Sequence, residues 1–284
     1  KYPEAPSAAS KNSILSRHPS LSRRGAGILL PISALPSAYG IGNLGKEARR
    51  FVDFLKKAGQ TYWQVLPVGP TSYGDSPYQS FSAFAGNPYF IDPETFMEEG
   101  LLTKDELESI SWQERGDHIE YSTLYENRFS LLKKAFFRSS HKETREYISF
   151  CLKNSFWLED YAVFMACKTH FGGVSWQEWP KELRLFQKEA VLQYSTLLEE
   201  EVEFWKFCQF SFFRQWKELR EYANSKGILI IGDMPIYVAM DSADVWSHSR
   251  YFQLDEEHRP KKVAGVPPDA FSADGQLWGN PLYD

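Results

Sequence analysis

Two apolar runs with a helical segment between them limit this chain more than any other feature. The runs are "GAGILLPIS", residues 25–33, and "TYWQVLPVGP", residues 61–70. Between them "GKEARRFVDFLKKAG" sets Ala48, Phe51, Val52, Phe54 and Leu55 at helical spacing, and Gly59 closes it. A strand, a helix and a strand joined by short connections give parallel strands with a right-handed crossover. Parallel strands are covered on both faces, so their runs are continuously apolar and do not alternate. A third such run, "GILIIGD" at 227–233, comes much later and ends on an acid, Asp233. The chain therefore reads as α/β, built on a parallel sheet.

From about 92 to 224 the periodicity is helical almost throughout, in segments such as "YENRFSLLKKAFFRSS" and "EEEVEFWKFCQFSFFRQWKELREYANSKG". This predicts a helical insertion between the second and third strands. Aromatic residues make up 16% of the chain, with 9 Trp, 15 Tyr and 21 Phe. That content serves either a large core or a surface for flat hydroxylated ligands such as sugars, and composition does not choose. The stripe on the last helical segment reads as core packing.

Ligands of parallel α/β folds bind where strands end, so the segments after each run carry the chemistry. After the first run, Gly40, Gly42 and Gly45 give a G-x-G-x-x-G spacing. A phosphate loop turns directly from strand into helix, whereas here Pro36 and other residues intervene. After the second run, "TSYGDSPYQSFSAFAGNPYF" at 71–90 carries six rings among Ser, Gly and Pro. Some of those rings cover core, and others suit a stacking platform. Asp233 closes the third run, either as a cap on the following segment or as an acceptor for ligand hydroxyls. The later stretch "VAGVPPDAFSADGQLWGNPLYD" has the composition of a mobile lid or of an ordinary surface loop.

Other bounds are briefer. A net charge of −5 argues against nucleic acid as a partner. No apolar run approaches the roughly 20 residues that span a membrane. Cys151, Cys167 and Cys208 show no paired spacing and read as free thiols of a reducing compartment. The expected location is the cytoplasm, or a plastid if the Ser-, Ala- and Arg-containing flexible leader at 1–24 is a transit remnant.

Four segments, in this order, carry a resemblance: "GDSPYQSFSAFAGNPYFID", "WLEDYAVFMACKTHFGG", "IIGDMPIYVAMDSADVW" and "GVPPDAFSADGQLWGNPLY". Together they resemble the 4-alpha-glucanotransferases, the amylomaltases or disproportionating enzymes, from about Arg24 to Asp284. The resemblance implies the N-terminal part of a (β/α)8 TIM barrel with a large helical insertion after the second strand. Residues 25–91 would hold the first strands and a donor-side loop, 92–224 the insertion, and 225–284 the third strand and a lid. It implies transfer of α-1,4-glucan segments between maltooligosaccharide or starch- and glycogen-derived chains, with retained stereochemistry and neither cofactor nor metal. Of the site residues it implies, Asp233 would sit close to the sugar at the reaction centre. Ser76 and Tyr78 would line the donor side, Trp278 would stack or hydrogen-bond near the scissile bond, and the Asp269 loop would cover the cleft. Tyr73 resembles a residue of a second, remote glucan site.

A retaining mechanism needs a nucleophile and an acid/base carboxyl roughly 5–5.5 Å apart. The family carries them after later strands, beginning with an R-x-D-H type segment, which this sequence does not contain. Both are expected beyond residue 284, in a C-terminal remainder of the same protein that completes the barrel. The alternatives are a glucan-binding fragment without the chemistry, and an α-glucan hydrolase.

Overall fold

The computed structural model describes residues 24–72, 74–112 and 118–284. Strands β1 (Gly27–Leu29), β2 (Tyr62–Gln64) and β3 (Leu229–Ile231) form a parallel sheet in that order, with Gly27, Tyr62 and Leu229 in register. Each strand is shorter than the apolar run containing it. Pro31, Pro67 and Pro235 follow the three strands and have no N–H to give a ladder. The central strand carries Trp63, fully buried, whose indole N–H donates to the Leu30 carbonyl at 2.8 Å.

Helix α1 (Lys46–Lys57) makes the crossover and buries Ala48, Val52 and Leu55 of the predicted face, with Phe51 half-buried, while Phe54 at its edge is exposed. Between β2 and β3 the chain is helical. Its helices are α2 (Pro93–Glu98), α3 (Lys104–Glu108), α4 (Tyr121–Arg138), α5 (Arg145–Lys153), α6 (Ser155–His170), α7 (Lys181–Arg184), α8 (Lys188–Leu197) and α9 (Glu199–Ser225). The helix α9 is the axis of this region. Glu199, Glu200 and Glu201 in its first turn favour its positive N-terminal end. Gly227, at φ +77°, lets the chain turn back into β3. Phe204, Trp205, Phe207 and Phe212 are buried, so the aromatic stripe is core. Phe207 stacks on Phe96 of α2 at 5.7 Å, and Trp205 meets Phe129 of α4 at 5.3 Å.

Two glutamines interrupt that apolar stripe, and both are buried. Gln209 accepts from the Gly86 N–H at 2.7 Å and donates to its carbonyl at 2.9 Å. Gln215 does the same at Asp92, at 2.7 and 3.2 Å. Each side-chain amide pairs with a backbone amide as a second strand would, satisfying groups that burial would otherwise orphan. These clamps fasten the 80–92 stretch, and with it the loop after β2, onto α9.

At the start of α2, Asp92 is buried and caps the helix by accepting the Glu94 N–H at 3.2 Å. Burial pushes its carboxyl up to about 6, the charge of Arg128 not offsetting the lost hydration. The folded protein thus holds this proton more tightly than the unfolded chain, whose carboxyl sits near 3.8. The resulting stabilisation is full below about pH 4 and is lost as pH rises through 6. Asn caps a helix as well as Asp does. Urea unfolding of Asp92→Asn against the parent should therefore show the difference moving in the variant's favour from about pH 4 to 7. Parallel pH profiles for the two proteins would show that Asp92 does not carry the effect.

After β3, helix α10 (Ala243–Ser247) packs on α6, and Ser242 caps it through the Val245 N–H at 3.3 Å. The segment expected as a lid loop is instead an antiparallel hairpin of β4 (Val263–Val266) and β5 (Gln276–Pro281). Its strands contain Gly265, Gly279, Asn280 and Pro281, residues that strands disfavour, which hid it from a reading by composition. Gly265 has a physical reason: a Cβ there would lie 2.5 Å from the Gln276 carbonyl oxygen.

Candidate functional site

A hydrogen bond joins the loops after β2 and β3. The Tyr78 hydroxyl donates to Asp233 Oδ2 at 2.7 Å, across 155 positions of sequence. Asp233 lies two residues past the end of β3. The cap of the next helix is Ser242, so Asp233 is not serving as that cap. The bond to Asp233, aided by burial, raises the Tyr78 phenol above its ordinary range. An ionised carboxylate offers about four lone-pair sites. Tyr78 takes one, leaving acceptors for hydroxyl groups of a ligand.

Ser76 shapes the turn that presents Tyr78. Its Oγ accepts the Tyr78 N–H at 3.3 Å, and its carbonyl accepts the Gln79 N–H at 3.1 Å. Trp278 projects from β5, half-exposed. Its indole N–H donates to Gln276 Oε1 at 2.9 Å, and its ring lies 6.4 Å from Tyr237, in the loop that follows Asp233. Tyr237 in turn stacks on Tyr283 at 6.0 Å and 10°. Trp278, Tyr237 and Tyr283 thus form a row of rings, a surface suited to the apolar faces of sugars.

Asp269 is exposed at the hairpin turn, where Oδ1 accepts the N–H groups of Phe271 and Ser272 at 2.8 and 2.9 Å. Among the described residues no hydrogen bond joins it to Tyr78 or Asp233. Tyr73 lies outside the described residues. The glycine-rich loop after β1 is explained by packing: a Cβ on Gly42 would sit 1.9 Å from the Ile32 carbonyl oxygen. The adjoining cavity is lined by Glu47, Asp92 and Glu94 beside Lys46, an acidic surround that disfavours phosphate. Among the described residues no group of three or more His, Cys, Asp or Glu is placed to hold a metal ion.

Several residues at this site gave no sequence signal. Gln79 and Asn280 are amides in turn-like surroundings, and Tyr237 and Tyr283 read as ordinary loop tyrosines. Lys168, buried on α6, holds the far end of the Asp233 loop through Asp241 at 2.6 Å and also donates to the Gly173 carbonyl at 2.8 Å. Only the fold brings these side chains together.

The arrangement is that of an α/β protein in which loops following parallel strands meet in a Tyr78–Asp233 hydrogen bond, and in open α/β sheets ligands bind outside the carboxyl ends of the strands. More narrowly, the chain belongs to the 4-alpha-glucanotransferase family, whose profile matches residues 30–284. It is 51% identical over 254 residues to a 4-alpha-glucanotransferase of Clostridium butyricum, covering 89% of this chain and 52% of that one. A 4-alpha-glucanotransferase of Thermus thermophilus is 51% identical over 264 residues, with 92% and 52% covered. The structure of an amylomaltase from Streptococcus agalactiae in complex with acarbose superposes with a TM-score of 0.89 at 45% identity, over 92% of this chain and 53% of that one. The chain spans about half the length of the relatives it matches.

Proposed function

We propose that the protein carrying this chain transfers α-1,4-glucan segments between maltooligosaccharide or starch- and glycogen-derived chains, and that this chain supplies the donor-side wall and the cover of its cleft. The observation that carries the reading is the Tyr78–Asp233 hydrogen bond at the junction of two strand-end loops, in a chain of this family. Asp233 accepts sugar hydroxyls through charge-assisted bonds, which are short and directional. Tyr78 and Ser76 hold the donor side, and Trp278 gives a ring face beside the reacting sugar. The hairpin turn around Asp269 lies over the cleft, and Tyr73 belongs to a second glucan-binding position.

The three parallel strands begin a (β/α)8 barrel, with residues 25–91 and 225–284 contributing to it and residues 92–224 inserted. The exposed apolar side chains Leu29 on β1 and Ile231 on β3 support further barrel structure packing there. The chemistry is a retaining double displacement. The nucleophile attacks the anomeric carbon, the acid/base carboxyl protonates the leaving chain, and the hydroxyl of an acceptor glucan then displaces the enzyme. Both carboxyl groups come from a later part of the protein. The cysteines are free, which supports a reducing compartment, cytoplasm or plastid. Among the described residues no helix is long and apolar enough to cross a membrane.

The test is incubation of the protein with maltotriose. A ladder of longer and shorter maltooligosaccharides is expected. Glucose and maltose without longer products would identify a hydrolase, and binding without turnover would leave a glucan-binding protein.

A further inference from the structure

We propose that Gln79 and Asn280 are positioning residues that tie the lid hairpin to the Tyr78–Asp233 pair, so that the placement of β5 sets the placement of the Tyr78 hydroxyl. The inference rests on the glucanotransferase reading for its activity assay, but its geometry stands apart from that reading.

Three segments surround the Tyr78–Asp233 contact: the loop after β2, the loop after β3, and β5. One buried side chain touches all three. Asn280 lies on β5 and is 4% exposed. Its Nδ2 donates to the Val238 carbonyl at 2.8 Å, on the loop that begins with Asp233. Its Oδ1 accepts from Gln79 Nε2 at 3.1 Å, on the loop carrying Tyr78. Gln79 Nε2 also reaches the Trp278 carbonyl at 3.4 Å. The polarity of this chain of bonds is fixed. A carbonyl only accepts and Gln79 Nε2 only donates, so the Asn280 amide has one workable orientation. An aspartate in its place would set an acceptor against the Val238 carbonyl.

Gln79 directly follows Tyr78, and its backbone is already committed to a tight turn. Its N–H donates to the Ser76 carbonyl at 3.1 Å, and its carbonyl accepts the Ser72 N–H at 2.9 Å. A turn held at both backbone groups moves as a unit, so a pull on the Gln79 side chain is a pull on Tyr78. The Tyr283 hydroxyl adds a parallel tether, donating to the Ile236 carbonyl at 2.9 Å. The hairpin therefore grips the wall of the cleft and its floor through one relay. Gln79 is only partly buried and lies on a turn, so its truncation opens no cavity in the apolar core.

The test is a double-mutant cycle on turnover of maltotriose, read with thermal unfolding. Gln79→Ala is expected to lower kcat about tenfold with KM little changed, because a small displacement of a positioned group costs rate before it costs binding. In a Tyr78→Phe background the same substitution should have almost no further effect, since the group it positions is gone. Equal effects in both backgrounds, or an unchanged kcat, would overturn the proposal. A second readout needs no activity. With ring-labelled tyrosine, the Tyr78 phenol resonance should titrate above the ordinary tyrosine range in the parent and shift back toward that range in Asn280→Ala and Gln79→Ala. If Asn280→Ala lowers the Tm sharply, Gln79→Ala alone carries the measurement. A parent that makes no transfer products but shows the phenol response retires the activity reading and keeps the relay. An unmoved phenol titration retires the relay whatever the activity.

Discussion

Asp233→Asn should leave the protein folded and lower its turnover by two to three orders of magnitude, the loss typical when a preorganised polar contact to the reacting centre is removed. The variant keeps the shape of the side chain and keeps an oxygen to accept from Tyr78, whose hydroxyl now bonds Asp233 Oδ2 at 2.7 Å. What it loses is charge. A carboxylate accepting sugar hydroxyls gains strength as the sugar approaches an oxocarbenium-like transition state, and an amide does not. The fall should appear in kcat more than in KM, with unfolding temperature unchanged. Near-parental turnover would leave Asp233 as a partner for Tyr78 and nothing more.

Gly86→Ala should cost about 3 kcal/mol of stability, the upper part of the range for overpacking a core. A Cβ at residue 86 would lie 2.0 Å from Cδ1 of Phe212, a ring fully buried on α9. Neither partner has room to retreat. Gly86 is held by both bonds to Gln209, and Phe212 meets Phe213 edge-on at 5.3 Å. The expected result is a lowered midpoint in urea and a loosened loop after β2, hence weaker maltooligosaccharide binding as well. Adding Phe212→Leu should recover part of the stability by opening space. A Gly86→Ala protein with parental stability would show that loop and helix separate more readily than their contacts imply.

Much of the framework was legible because it is local. The buried face of α1 follows its spacing, and Gly227 marks the end of α9 in the sequence as in the fold. The strands were located but overextended, since an apolar run does not reveal which of its residues find ladder partners. The hairpin was missed because β4 and β5 are held by pairing and by a bulge, with residues whose propensities point elsewhere. The same limit applies at the site. Tyr78, Trp278 and Asp233 stand in recognisable motifs, whereas Gln79 and Asn280, which bond each other and the Val238 carbonyl, are side-chain amides that carry no periodicity. Gln209 and Gln215 are the clearest case. They are polar positions on the buried face of α9, and only the loop they grip explains them.

That grip has a consequence in time. Gly86 and Gln209 are 123 positions apart, as are Asp92 and Gln215. During synthesis at ~5–20 residues per second, roughly 6 to 25 seconds separate the emergence of the loop from the emergence of the helix that shapes it. Over that interval the backbone groups of Gly86 and Asp92 that the two glutamines take have no such partner, and β2 still waits for β3. The wall of the cleft thus leaves the ribosome well before the helix that it is clamped to. A nascent chain halted before α9 would already hold the helices on which Phe81, Phe84 and Tyr89 pack, but neither of the glutamines that clamp this stretch.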